Sequence, residues 1–135
     1  MLRTLSVIAL ALLAFSAICR AEDAQADEKK KMIGVWRGGW PDDKTPRFEI
    51  TITADKITGK DLTNGRDLGT GSFTLDVAKK TIDAVNSQNK TYLGLYSLDG
   101  DSLKWASDNG RGGNRPTALV HRPPQSFYMV LTRQK

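Results

Sequence analysis

The side chains that most often act as bases, nucleophiles or metal ligands are scarce, since the chain has one histidine, His121, and one cysteine, Cys19. His121 lies between Val120 and Arg122 in a proline-rich stretch, which predicts a solvated loop residue rather than a base, metal ligand or haem ligand. No serine or cysteine lies in a nucleophile motif. The sequence therefore predicts no enzyme, no metal site and no cofactor.

Two acidic clusters could suggest calcium. Asp99 and Asp101 flank Gly100, but this spacing falls short of an EF-hand loop, and a hairpin turn accounts for all three residues. Asp42 and Asp43 are adjacent and are interpreted as part of a loop. Neither cluster is therefore taken as a cation site.

The charge pattern argues against a nucleic-acid partner. The whole chain has a net charge of +5, and the part after residue 21 has 18 basic against 15 acidic residues. The charges alternate in sign along most of the chain, which is typical of a solvated surface rather than a basic stripe. The one bias is Arg111, Arg115 and Arg122 in a single loop rich in glycine and proline.

Residues 1–21 have the pattern of a signal peptide. Arg3 precedes fourteen uncharged residues, 5–18, a stretch too short to span a membrane as a helix, and the chain turns polar after Ala21. Cys19 follows Ile18, which fits a lipobox poorly, so we expect no lipid anchor there. Cleavage after Ala21 leaves no cysteine and hence no disulfide. We expect a protein exported to the periplasm or the exterior, with no membrane-spanning helix.

The rest of the chain is predicted to form short strands. Residues 47–53 alternate strictly, with Phe48, Ile50 and Ile52 on one face. Turn residues separate similar runs, so the sequence predicts eight strands over residues 33–40, 47–53, 56–62, 71–75, 80–85, 90–98, 102–107 and 126–133.

These strands predict a closed antiparallel barrel. No helix of ten residues fits between any two of them, which excludes parallel crossovers, and eight strands at hairpin spacing favour an up-and-down order. A seven- or eight-stranded sandwich is the competing architecture. The expected division is a signal peptide over 1–21, a polar lead-in over 22–31 with a short helical turn, and an all-β barrel domain over 32–135.

One hairpin predicts which side chains face inward. If Asp99 and Gly100 are the central turn residues, Tyr96 lies opposite Leu103 and Gly94 opposite Trp105. Tyr96, Leu103 and Trp105 would then share the interior face, and Gly94 would leave room for the indole.

The first and last strands carry a family resemblance. Gly34-Val35-Trp36, just after the helical turn, resembles the Gly-x-Trp signature of lipocalin and calycin barrels, and Arg133 resembles the arginine that those barrels stack over the tryptophan. The chain over 32–135 is also similar to a family of small lipocalin-like domains of planctomycete bacteria. The matching stretches are residues 34–36, 71–76 with 79–83, 92–104, 115–117 and 130–133. The resemblance implies an exported calycin-type barrel and no particular activity.

Two functions remain open from the sequence. The first is a binding barrel that holds a small apolar ligand, with Tyr96, Trp105, Leu103 and Phe48 as contacts. The second is an envelope module with a filled barrel. Its loop over residues 109–125 would use Arg111, Arg115 and Arg122 to bind a protein or an anionic polysaccharide. The volume of the barrel interior separates the two, and in either case we expect a monomer.

Overall fold

The structure is a computed structural model that describes residues 22–135. The predicted signal peptide and Cys19 lie outside the described residues. One helix, α1 over residues 22–32, precedes eight strands. The strands are β1 Gly34–Gly39, β2 Phe48–Ile52, β3 Lys56–Asp61, β4 Asp67–Asp76, β5 Thr81–Asn86, β6 Thr91–Asp99, β7 Ser102–Ser107 and β8 Phe127–Arg133.

The strands form a closed barrel. Each strand pairs antiparallel with the next in the chain, and β8 returns to pair with β1, with Trp36 opposite Arg133. The prediction of an eight-stranded up-and-down barrel with a short N-terminal helix is confirmed, and the sandwich alternative is wrong. The architecture is that of a small lipocalin- or calycin-like barrel.

The apolar residues that alternate with polar ones along the strands face the barrel interior, as predicted. On β2, Ile50 and Ile52 are buried and Phe48 packs against the core, while Glu49 faces outward and forms an ion pair with Arg37 on β1 at 2.8 Å. The largest departure in strand length is β4, which begins at Asp67 rather than residue 71. Its first residues show no apolar alternation, and pairing with β3 defines them as strand.

The β6–β7 hairpin differs from its predicted register. Tyr96 lies opposite Trp105 and Leu98 opposite Leu103, so each partner is shifted by two residues. The turn places Gly100, with φ of +56°, at the first of its two central positions, where a type II′ turn favours glycine. A shift of two preserves the faces, so Tyr96, Leu103 and Trp105 still point inward and are all buried.

Helix α1 closes one end of the barrel, called here the closed end. Met32 at its last turn is fully buried, and its carbonyl oxygen accepts a hydrogen bond from the Trp36 indole Nε1 at 2.9 Å. The Gln25 side chain accepts the backbone N–H of Val77 at 2.8 Å, and Lys29 lies over the Phe73 ring. The apolar core of this end is formed by Met32, Trp36, Ile52, Phe73, Ile82, Tyr96, Leu103 and Leu131.

Candidate functional site

The opposite end of the barrel, called here the open end, contains a cavity of about 610 Å³. This volume lies in the range of small-molecule sites. The apolar residues that line it come from strands β2 to β8, from the position just after β1 and from the loop before β8: Trp40, Phe48, Ile50, Ile57, Leu68, Ala84, Val85, Tyr92, Trp105, Pro124, Phe127 and Met129. The interior is therefore filled at one end and hollow at the other.

The four predicted ligand contacts divide between the two ends. Phe48 and Trp105 line the cavity. Tyr96 and Leu103 do not line it, because they belong to the packed core near α1. Alternation along a strand identifies the inward face but not the height of a side chain along the barrel axis, which is why the sequence grouped all four.

Gly94 makes room for the indole of Trp105 on the cavity wall. A Cβ at position 94 would lie 2.8 Å from Trp105 Nε1 and 2.8 Å from the carbonyl oxygen of Ala106. The predicted direct pairing of Gly94 with Trp105 is wrong, since Gly94 pairs with Ser107. The indole nevertheless extends along the barrel as far as Gly94, so the expected packing relation holds.

An aromatic cluster stands at the mouth of the cavity. The Trp40 ring stacks on His121 at 4.7 Å between centroids and meets Phe48 edge-on at 5.0 Å, and Phe127 lies 6.0 Å away. His121 Nδ1 accepts the backbone N–H of Tyr128 at 3.1 Å. His121 is thus half-buried, and its prediction as a solvated loop residue is wrong because the loop folds back onto Trp40.

The three loop arginines occupy different surroundings. Arg115 Nη1 contacts Asp83 Oδ1 at 2.6 Å and donates to the Gly94 carbonyl at 2.8 Å, so this side chain ties the loop to the barrel wall. Arg111 is exposed and lines the cavity mouth. Arg122 is exposed at a short turn closed by its pairing with Ser126.

Asp108 is a buried carboxylate at the wall of the cavity. The residue is 4% exposed, and its Oδ1 accepts the backbone N–H groups of Leu93 at 2.9 Å and Gly110 at 3.1 Å. Its Oδ2 has no hydrogen-bond partner among residues 22–135, and the same holds for Trp105 Nε1. The burial of Asp108 could not be predicted from the sequence, because nothing in its local pattern shows that the following loop will cover it.

At the closed end, Glu28 fastens α1 to the barrel. Its carboxylate accepts hydrogen bonds from the Tyr96 hydroxyl and from Lys80 Nζ. Burial opposes ionisation of Glu28, but those two hydrogen bonds and the charge of Lys80 outweigh it, and the pKa of Glu28 lies below its ordinary value. Burial, and then the hydrogen bond to Glu28, raises the pKa of Tyr96.

Trp36 and Arg133 meet where β1 and β8 close the barrel. The Arg133 guanidinium lies over the Trp36 ring, 4.3 Å from its centroid. It also donates hydrogen bonds to the carbonyl oxygens of Lys31 and Ile33, and it pairs with Asp101 at 3.1 Å. This arginine therefore joins α1, the β1–β8 seam and the β6–β7 turn.

Comparison with protein-family models, curated proteins and solved structures finds no match to this chain. Membership of the lipocalin-like family named from the sequence therefore stays a prediction. Within residues 22–135, no three His, Cys, Asp or Glu side chains come together as a metal site would require. In that same part of the chain, no helix is long and apolar enough to cross a membrane.

Proposed function

We propose that this chain is an exported, lipocalin-like binding protein that holds a small apolar ligand in the open end of its barrel. The observation that carries the proposal is the cavity of about 610 Å³, which is bordered mainly by aromatic and aliphatic side chains. Apolar surface of this kind gains free energy when it exchanges water for an apolar molecule, at roughly 25 cal/mol per Å² buried.

The difference in interior packing between the two ends of the barrel supports a ligand site at the open end rather than a poorly packed core. The closed end has large side chains packed to full burial around Trp36, so this sequence can fill a barrel where no space is needed. At the open end the interior positions include a small residue, Ala84 on β5. Small residues facing large aromatic ones leave a volume that a ligand can occupy.

The proposal includes no catalytic step. His121, the one histidine of the chain, uses Nδ1 to accept the Tyr128 N–H and stacks its ring on Trp40. Both contacts position the loop over the mouth. We therefore assign His121 a role in shaping the entrance.

The envelope-module alternative receives less support. It calls for a filled barrel and for three available arginines, whereas the barrel is hollow at one end and Arg115 is bound to Asp83 and Gly94. Arg111 and Arg122 remain exposed, so the alternative can be tested directly by adding an anionic polysaccharide. Binding through them would weaken steeply as salt concentration rises, whereas apolar burial would not.

A cavity-filling variant tests the proposal. N-phenyl-1-naphthylamine, a neutral apolar probe, should bind the purified protein saturably at one site with enhanced emission, and Ala84→Phe should abolish this because Ala84 lines the cavity. Ala78→Phe, at an exposed position of the β4–β5 turn, is the matched control and should leave binding unchanged. Equal binding to Ala84→Phe and wild type, or no saturable binding to either control or wild type, would contradict the proposal.

A further inference from the structure

Two cationic side chains at the mouth of the cavity have no anionic partner among the described residues. Lys90 and Arg111 both line the cavity, and neither forms an ion pair within residues 22–135. The basic residues that do form ion pairs in that part of the chain, Arg115 among them, lie outside the cavity lining. Unpaired cations beside an apolar cavity attract an anionic group to its entrance.

Lys90 belongs to the inward-facing series of residues on β6. Tyr92, Gly94 and Tyr96 occupy the inward positions of that strand, and alternation makes residue 90 the next such position toward the open end. The backbone ladder continues this far, because the N–H of Asn86 donates to the Lys90 carbonyl at 3.0 Å. Lys90 Nζ lies 5.6 Å from the ring centroid of Tyr92, which itself lines the cavity. The ammonium group is therefore on the cavity side of the wall.

Gly110 brings Arg111 to the same side of the mouth. A Cβ at position 110 would lie 2.6 Å from Tyr92 Cε1 and 2.9 Å from Lys90 Cε, so the loop crosses directly over these two side chains. Gly110 has a φ of +70°, and the next residue, Arg111, is exposed and lines the cavity. The two cationic residues therefore share one part of the rim.

The one acidic residue among the described residues of the lining is already engaged. Asp108 Oδ1 accepts the backbone N–H groups of Leu93 and Gly110, and its Oδ2 is buried. Its carboxylate therefore stabilises the wall and is closed to a ligand. The rim keeps two accessible positive charges and no accessible negative one in the part of the chain that the structure describes.

The two asparagines of the lining add donors to the rim rather than acceptors. Asn86 Oδ1 accepts the backbone N–H of Lys90 at 2.9 Å, and Asn109 Oδ1 accepts that of Arg111 at 3.0 Å. The groups left to each amide are the two N–H donors of its NH2. A cationic ligand would thus meet two like charges and amide donors, whereas an anion matches both.

We propose that the ligand of this cavity is an amphiphile, an apolar body ending in a carboxylate, sulfate or phosphate group, whose anion binds Lys90 and Arg111. This inference rests on the proposed function and narrows the class of ligand. The apolar body would lie among the cavity side chains such as Phe48, Trp105 and Met129, with its head group at the rim. Ammonium and guanidinium groups form charge-assisted hydrogen bonds with such oxygens.

Four probes with the same decyl chain isolate the contribution of the head group. Decanoate and decyl sulfate are anionic near neutral pH, decan-1-ol is neutral and decyltrimethylammonium is cationic. The dissociation constant of each is measured below its micelle concentration by displacement of N-phenyl-1-naphthylamine from the purified protein. The anion preference is the ratio of the decan-1-ol value to the value for an anionic probe. Comparing this ratio between variants cancels the different cost of removing each probe from water.

Lys90→Gln/Arg111→Gln is the decisive variant, because it removes both charges and keeps side chains of similar size. We expect its anion preference to fall about fivefold, as two contacts at a partly exposed rim allow, with little change for decan-1-ol. Arg111→Gln alone, at an exposed position, should cause a smaller fall. The control Lys30→Gln/Lys104→Gln removes two exposed charges outside the lining and should keep the wild-type preference.

The outcomes separate this inference from the proposed function. Tighter binding of decanoate or of decyl sulfate than of decan-1-ol, lost in the decisive variant, supports the inference, and the tighter of the two identifies the head group. If the dye saturates the wild type but no anion preference is found, or the preference is the same in Lys90→Gln/Arg111→Gln, the cavity binds apolar molecules and the anion inference is wrong. Tightest binding of decyltrimethylammonium would overturn it too. If the dye does not saturate the wild type, the proposed function itself fails.

Discussion

Arg133 lies over Trp36 at the seam where the first and last strands meet, with its guanidinium carbon 4.3 Å from the ring centroid. The two residues are also direct partners in the β1–β8 ladder. One contact thus combines cation–π attraction with closure of the barrel. Because Arg133 additionally binds the carbonyl oxygens of Lys31 and Ile33, the end of α1 is fixed to the same seam.

Removing either member of this pair should lower the free energy of unfolding. Trp36 is fully buried, so Trp36→Ala should cost about 3–5 kcal/mol. Arg133→Ala should cost about 2 kcal/mol, since it loses hydrogen bonds as well as the ring contact. Urea unfolding measures both losses. The control is Trp40→Ala: Trp40 is half-buried at the mouth of the cavity, so this variant should lower the free energy of unfolding less than Trp36→Ala does. A double-mutant cycle additive to within about 0.3 kcal/mol would refute the coupling.

Gly94 should not tolerate a side chain. An alanine Cβ there would lie 2.8 Å from Trp105 Nε1 and from the Ala106 carbonyl oxygen, so Gly94→Ala should destabilise the protein by about 1–3 kcal/mol. The near-ultraviolet circular dichroism should change with it, because the indole must move. Gly113→Ala, whose nearest contact is 3.8 Å away, is the control and should be close to neutral. Equal stability of the two variants would contradict the packing described for Trp105.

The anchor between α1 and the barrel should depend on pH. The pKa of Glu28 is depressed in the folded state, so its contribution is present above the ordinary value of 4.5 and is lost as the pH falls through the lower folded value. Urea unfolding between pH 6 and about pH 3 should show a steeper loss for wild type than for Glu28→Gln. Glu22→Gln, in the exposed first turn of the described helix, should follow the wild type. If the free energy of unfolding falls equally with pH in wild type and in Glu28→Gln, Glu28 does not anchor α1 to the barrel.

Export is tested by the mass of the native protein. Cleavage after Ala21 predicts a chain that begins at Glu22 and contains no cysteine. Intact-mass spectrometry of protein from the fraction outside the inner membrane should give the mass of residues 22–135. A product that retains Met1, or one that carries lipid on Cys19, would contradict the soluble exported form.

The strands and their inward faces were predictable from the sequence because their signal is local. Ile50 and Ile52 alternate with polar residues, and an antiparallel ladder preserves that alternation wherever it pairs. The β6–β7 register was missed by two residues, because the Asp-Gly pair could place its turn at Asp99 or at Gly100. The ladder decides between them: Asp99 pairs with Ser102, so Gly100 and Asp101 are the central residues, and Asp99 lacks the positive φ that a type I′ turn would require of it.

The site depends on contacts between residues far apart in sequence, which the sequence pattern does not contain. Glu28 and Tyr96 are 68 positions apart, and their contact is what assigns Tyr96 to the closed end rather than to the cavity. Asp108 is buried because its carboxylate binds Leu93, 15 positions earlier, and because the next turn folds over it. Charged residues are ordinarily exposed, and nothing in the sequence near Asp108 marks it as an exception.

The most direct measurement of the central claim is an intermolecular nuclear Overhauser experiment on protein with ¹³C-labelled methionine methyl groups, saturated with N-phenyl-1-naphthylamine. Met129 lines the cavity, whereas Met32 lies in the packed core beneath it, so the two methyl groups report on the two ends of one barrel. We predict cross-peaks between the probe and the Met129 methyl group, and none to Met32. Saturable binding without contacts to Met129 would contradict a ligand site in the open end of the barrel.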